Sequence, residues 1–243
     1  MPKKNSFLEI PFIYIIFILG VLMLWQLGNL TNDETIKNTV IPTFVLLVGS
    51  FMLFVIHPKS KWKINNISNN SKKSLFIALM AITLILFISS VIAILLGFFQ
   101  NLMVANSLAM IGAIPQFVLL NAPLISIVVI VFFIAPLETM VASQLLDLML
   151  YKFKSNYTLK DPKVYVSAGV ISLGAIFYHV WAKLIPTTGV LNIHALIIVA
   201  VLFFVCALLA VKQREMESAI YTHMGNNLLA MMYKFKDVFK AFV

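Results

Sequence analysis

Apolar runs near residues 10–27, 40–56, 74–98, 123–150, 164–185 and 193–211 alternate with short polar breaks along the whole chain. Each run is close to the ~20 apolar residues that cross a bilayer as a helix. Of the 243 residues, 61% are hydrophobic and 11% charged, with a mean hydropathy of +0.99. A soluble domain carries about 25% charged residues, so there is too little polar material here to cover a water-facing surface. The expected fold is all-α: a polytopic transmembrane bundle of about six to seven membrane helices. The segment 108–120 is shorter and interrupted by Pro115, which suits a re-entrant or interfacial piece. A last, short apolar segment covers 218–232. Residues 1–106 then hold the N-terminal helices and a basic loop, and residues 107–243 a membrane core.

The net charge of +9 lies on lysines in the loops, with no basic stripe interleaved with aromatics. That excludes nucleic acid as the expected partner and points to the lipid bilayer. With a cytoplasmic N-terminus and a segment 108–120 that does not cross, one side collects Lys3, Lys4, the five lysines of 57–73, the four of 151–163, Lys212 and Arg214. The opposite loops hold Lys37 and Lys183. The asymmetry predicts an integral, multi-pass cell-membrane protein with its N-terminus inside. The basic tail (Lys234, Lys236, Lys240) fits that pattern least well. The N-terminal run is long and lacks a small-x-small cleavage site, so it reads as a retained first span. Cys206, the one cysteine, lies in an apolar run and excludes an intrachain disulfide and a Cys/His zinc spacing.

Ionisable groups inside membrane spans face protein or water rather than lipid. Three stand out: Glu138 in Ala135-Pro136-Leu137-Glu138-Thr139, His179 in Tyr178-His179-Val180, and His223, followed one turn later by Asn227. Pro136 weakens the local backbone bonding. The i, i+4 spacing puts His223 and Asn227 on one helix face, and Gly225 permits close approach of another helix. Each of these groups also has a plain reading as an interhelical hydrogen-bonding partner, and for His179 taken alone that is the favoured one. Counting ~1.5 Å per residue, Glu138 and His179 lie roughly 18 and 22 Å from the cytoplasmic ends of their runs, and His223 roughly 8–10 Å into its segment. His57 and His194 sit at run edges and are assigned no chemistry, and Asp147 lies near a span end.

A Glu in one span, a His in the next and His-x-x-x-Asn in the last resemble the CPBP family of intramembrane proteases, which includes type II CAAX prenyl endopeptidases and bacteriocin-processing and immunity proteins. The resemblance covers roughly residues 120–232. Glu138 matches the first Glu of the family's Glu-Glu-x-x-x-Arg motif, with Thr139 and Ser143 replacing the second Glu and the Arg. His179 matches the His of Phe-x-x-x-His, with Ala175 at the Phe position. His223 and Asn227 reproduce the third motif intact.

The resemblance implies hydrolysis of a peptide bond in a membrane-associated or prenylated substrate. Glu138 with His179 would activate a water, and His223 and Asn227 would stabilise the oxyanion. It leaves open a divalent metal such as zinc, held by Glu138, His179 and His223. Two other classes stand beside the protease: a catalytically inactive scaffold or immunity-type protein with this fold, and a transporter using Glu138 and the histidines as a proton relay. Transporters tend to carry paired repeats, and no repeat is evident.

Overall fold

A computed structural model describes residues 71–98, 127–128, 130–180 and 192–235. The expected first two spans, the re-entrant segment at 108–120, Lys183, His57 and the end of the basic tail lie outside the described residues. Those residues form five α-helices: α1 (Ser71–Leu95), α2 (Ala135–Lys152), α3 (Pro162–Tyr178), α4 (Ile193–Gln213) and α5 (Glu217–Lys234). A five-residue π-helical turn, Ile130–Ile134, leads into α2. Among the described residues there is no strand, in keeping with the all-α expectation.

Among the described residues, three stretches are long and apolar enough to cross a membrane: Lys72–Leu95, Ile130–Lys152 and Ile193–Gln213. Pro162–Tyr178 is apolar but shorter. α4 is the hub of the assembly, packing against each of the other four helices, while α5 packs against α1, α2 and α4. Its inner surface carries Ala195, Val199, Leu202 and Ala210, each at most 1% exposed. α1 is peripheral and turns Phe76, Met80, Phe87 and Leu95 outward, as a lipid-facing helix does.

α5 is different in kind. Ser218, Thr222, His223, Asn226 and Asn227 are all buried, so its polar face points into the protein, the only direction lipid permits. Arg214 ends α4 in the left-handed region (φ 56°), normally a glycine conformation that costs an L-residue about 1–2 kcal/mol. The reversal takes only residues 214–216. The start of α1 sits beside this turn, where the Ser74 hydroxyl donates to Glu215 Oε1 at 3.3 Å.

The loop between α2 and α3 is held by its own side chains. Asp161 is the N-cap of α3, accepting from Lys163 N–H at 3.0 Å, Asn156 N–H at 3.1 Å and the Ser155 hydroxyl at 2.8 Å. Pro162 follows at the first turn, where a missing N–H costs nothing. Tyr157 (φ 57°) folds back under the helices and donates its hydroxyl to the Asp147 carbonyl at 3.1 Å. Burial, and then the Asp147 charge, push the Tyr157 phenol well above its ordinary range. α4 starts on Asn192, whose side chain accepts from Ala195 N–H at 2.8 Å.

Candidate active site

Glu138 lies in the first turn of α2, directly after the π-helical turn. Proline at position 136 cannot supply an N–H and crowds the carbonyl four residues before it. The wider π-helical turn relieves that crowding, and such turns recur at functional sites. The chain again passes into π-helical geometry at His179 and Val180, at the end of α3.

The Glu138 side chain meets His223 of α5, with Oε2 3.5 Å from Nε2. Both residues are buried, at 4% and 1% exposure, so the contact is shielded from bulk water. The other ring nitrogen, His223 Nδ1, lies 2.9 Å from the Thr139 hydroxyl. Two neighbouring residues of α2 therefore hold both nitrogens of one imidazole on α5. The depths counted along the chain put Glu138 and His223 at different levels. They nevertheless meet.

His179 is also buried, and its Nδ1–H donates to the Ala175 carbonyl at 2.8 Å. A carbonyl only accepts, so the proton is on Nδ1 and, in the neutral ring, the lone pair is on Nε2. Phe203 of α4 links the two imidazoles. Its ring packs edge-on against His179 at 5.9 Å and against His223 at 5.2 Å between centroids. Tyr178 packs edge-on against His179 at 5.4 Å and lies within electrostatic reach of Glu138. Glu138, His179 and His223 thus occupy one buried region spanning α2, α3, α4 and α5. Within it Glu138 touches His223, and His179 is joined to His223 through Phe203. Asn227, one turn along α5, is 1% exposed, and its Oδ1 has no hydrogen-bond partner among the described residues.

No family model, no curated protein and no solved structure matches this chain. The geometry must therefore carry the chemistry.

Among the described residues, no three His, Cys, Asp or Glu side chains gather as a metal ion would require. Glu138, His179 and His223 do not make up a fitting donor set for zinc. What they do make is a buried cluster: a carboxyl against one imidazole, with a second imidazole held in a fixed tautomer nearby.

Two participants escaped the sequence reading. Thr139 counts there as a departure from the Glu-Glu motif, yet it is the hydrogen-bond partner of His223. The available signal was a hydroxyl next to an intramembrane glutamate. Phe203, one of 20 phenylalanines, carries no sequence signal at all. Its place between two imidazoles is set by how α4 packs.

Proposed function

We propose that this chain is an intramembrane endopeptidase of the CPBP type, a multi-pass protein of about six to seven helices with its N-terminus and lysine-rich loops in the cytoplasm. The observation that carries the reading is the buried contact between Glu138 and His223, made across 84 intervening residues. A carboxyl and an imidazole placed together out of water suit proton transfer to and from a reacting group, worth about 10²–10⁴-fold in rate. The orientation is supported by Lys72 and Lys73, at the start of the helix that Ser74 ties to the α4–α5 turn, where Arg214 lies and Lys212 ends α4.

In this mechanism, water attacks the scissile carbonyl carbon while the Glu138–His223 pair takes its proton. The C–N bond then breaks and the proton passes to the departing amine. The Asn227 amide, on the same face of α5 as His223, donates to the oxyanion, a contribution of about 10²–10³-fold for one well-placed donor. His179 presents Nε2 as a second accepting atom for the water. The site is enclosed by apolar helices, so the substrate reaches it from the membrane: a membrane-associated or prenylated peptide.

A non-catalytic protein with the same fold is the second reading. Thr139 and Ser143, both buried, favour it because they stand where the resembled family has a charged pair.

The deciding experiment uses the full chain in proteoliposomes with a prenylated reporter peptide. Wild type should cleave it. Glu138→Gln and His223→Ala should not, while keeping wild-type helicity by circular dichroism. An intact peptide with wild type, or undiminished cleavage by Glu138→Gln, overturns the protease reading.

A further inference from the structure

The Thr139 hydroxyl has one proton and two polar neighbours. Its Oγ1 lies 2.8 Å from the Ala135 carbonyl oxygen and 2.9 Å from His223 Nδ1. The carbonyl has no proton to give, so the hydroxyl donates to it. Toward His223 the hydroxyl can then only accept, which places a proton on Nδ1. A neutral imidazole protonated there carries its lone pair on Nε2, the atom 3.5 Å from Glu138 Oε2.

An ionised carboxylate facing that lone pair would set two acceptors against each other in a buried space, an arrangement that costs free energy. A proton between them removes the conflict. It belongs either to a carboxylic acid donating to Nε2 or to an imidazolium donating to the carboxylate. In both cases Thr139 stays the acceptor for Nδ1–H. The edge-on Phe203 ring limits rotation of the imidazole out of this alignment.

We propose that Thr139 is a positioning residue: its hydroxyl locks His223 with a proton on Nδ1 and so aims Nε2 at Glu138, making the two a proton-sharing pair. Threonine does this with a neutral oxygen, whereas a glutamate at this position would bring a second carboxyl into the same buried space. The proposal deepens the site described under the proposed function and rests on the same Glu138–His223 contact. It concerns the resting enzyme and needs no substrate.

The test is ¹⁵N nuclear magnetic resonance of histidine-labelled full-length protein in lipid bilayers, with His223 assigned by its loss in His223→Gln. In wild type, His223 Nδ1 should be protonated, in a ring that is either neutral or doubly protonated. Thr139→Val, which removes the hydroxyl at nearly constant volume, should replace this single state with a mixture of tautomers or with the Nε2-protonated form. Thr139→Ser should restore the wild-type signature. A wild-type His223 that is neutral and protonated only on Nε2 overturns the proposal, whatever the variants do. A Thr139→Val spectrum identical to wild type overturns it as well. Because the readout is taken without peptide, missing peptidase activity would sink the protease reading and leave this result standing.

Discussion

Ile82 of α1 bears directly on Gly225 of α5, leaving no room for a β-carbon between them. Gly225 comes two residues after His223, so this contact sets how closely α1 presses on the helix that carries the site. Gly225→Ala should leave stability almost unchanged. Alanine gains about 1 kcal/mol in helix propensity, and the mobile end of Ile82 turns aside at a cost of about 0.5–1.5 kcal/mol. Gly225→Leu asks for more than Ile82 can yield and should destabilise by about 1–3 kcal/mol. Ile82→Ala in the same chain should recover part of that loss. Thermal melts of wild type, Gly225→Leu, Ile82→Ala and the double variant in detergent measure the coupling.

Glu138→Gln should separate chemistry from stability. A glutamine amide N–H at this position can donate to His223 Nε2, so the melting temperature should stay within a few degrees of wild type. The proton-accepting carboxylate is gone, and peptide cleavage should fall by at least about 10²-fold. Glu138→Ala also removes the partner of a buried nitrogen and should cost about 1–3 kcal/mol of stability. Rates and melts measured on the two variants together distinguish the effects.

Asp161 gives the α2–α3 loop a pH dependence of known sign. The Lys163 backbone N–H, then the Ser155 hydroxyl, hold its carboxyl below the ordinary aspartate value. A depressed folded-state value means stabilisation that is present above the unfolded value of ~3.9 and lost as pH falls through the folded one. Asp161→Asn keeps a side-chain oxygen for capping but cannot ionise. The melting-temperature gap between wild type and Asp161→Asn should be steady near neutral pH and close below about pH 4. A gap that persists unchanged into acid would contradict the assignment.

Membrane orientation can be read with single cysteines. Lys160 is exposed in the α2–α3 loop, and Leu96 is exposed just past the far end of α1. The 25 residues of α1 span about 37 Å, more than the ~30 Å hydrocarbon core. Native Cys206 is buried and provides a silent background. An impermeant maleimide should label Lys160→Cys in inside-out vesicles and Leu96→Cys in right-side-out ones. Labelling of both from one face would refute the proposed topology.

The helices were readable because lipid imposes a simple rule on composition. The apolar run at 193–211 becomes α4 at Ile193–Gln213, and 218–232 becomes α5 at Glu217–Lys234. The run at 123–150 hid a change of geometry, since hydropathy does not distinguish the π-helical turn at Ile130–Ile134 from the α-helix after it. Glu138, His179, His223 and Asn227 were legible as polar groups in an apolar setting. The direct partnership of Glu138 with His223 was not, because pairing depends on where each helix begins in depth and on its rotation. For the same reason Thr139, whose role exists only across an interhelical contact, looked like a lost motif residue.

The three-residue reversal at Arg214 has a consequence for how the protein is made. α5 buries five polar side chains and is not among the stretches apolar enough to cross a membrane. Chain emerging from the ribosome would offer it to lipid as a poor substrate for insertion. α4 is strongly apolar and tethered to it too closely for the two to part, so under the proposed topology the pair enters the bilayer as one hairpin. Lengthening that link with flexible residues would release α5 to choose water, and the half-site it carries would be left outside the membrane.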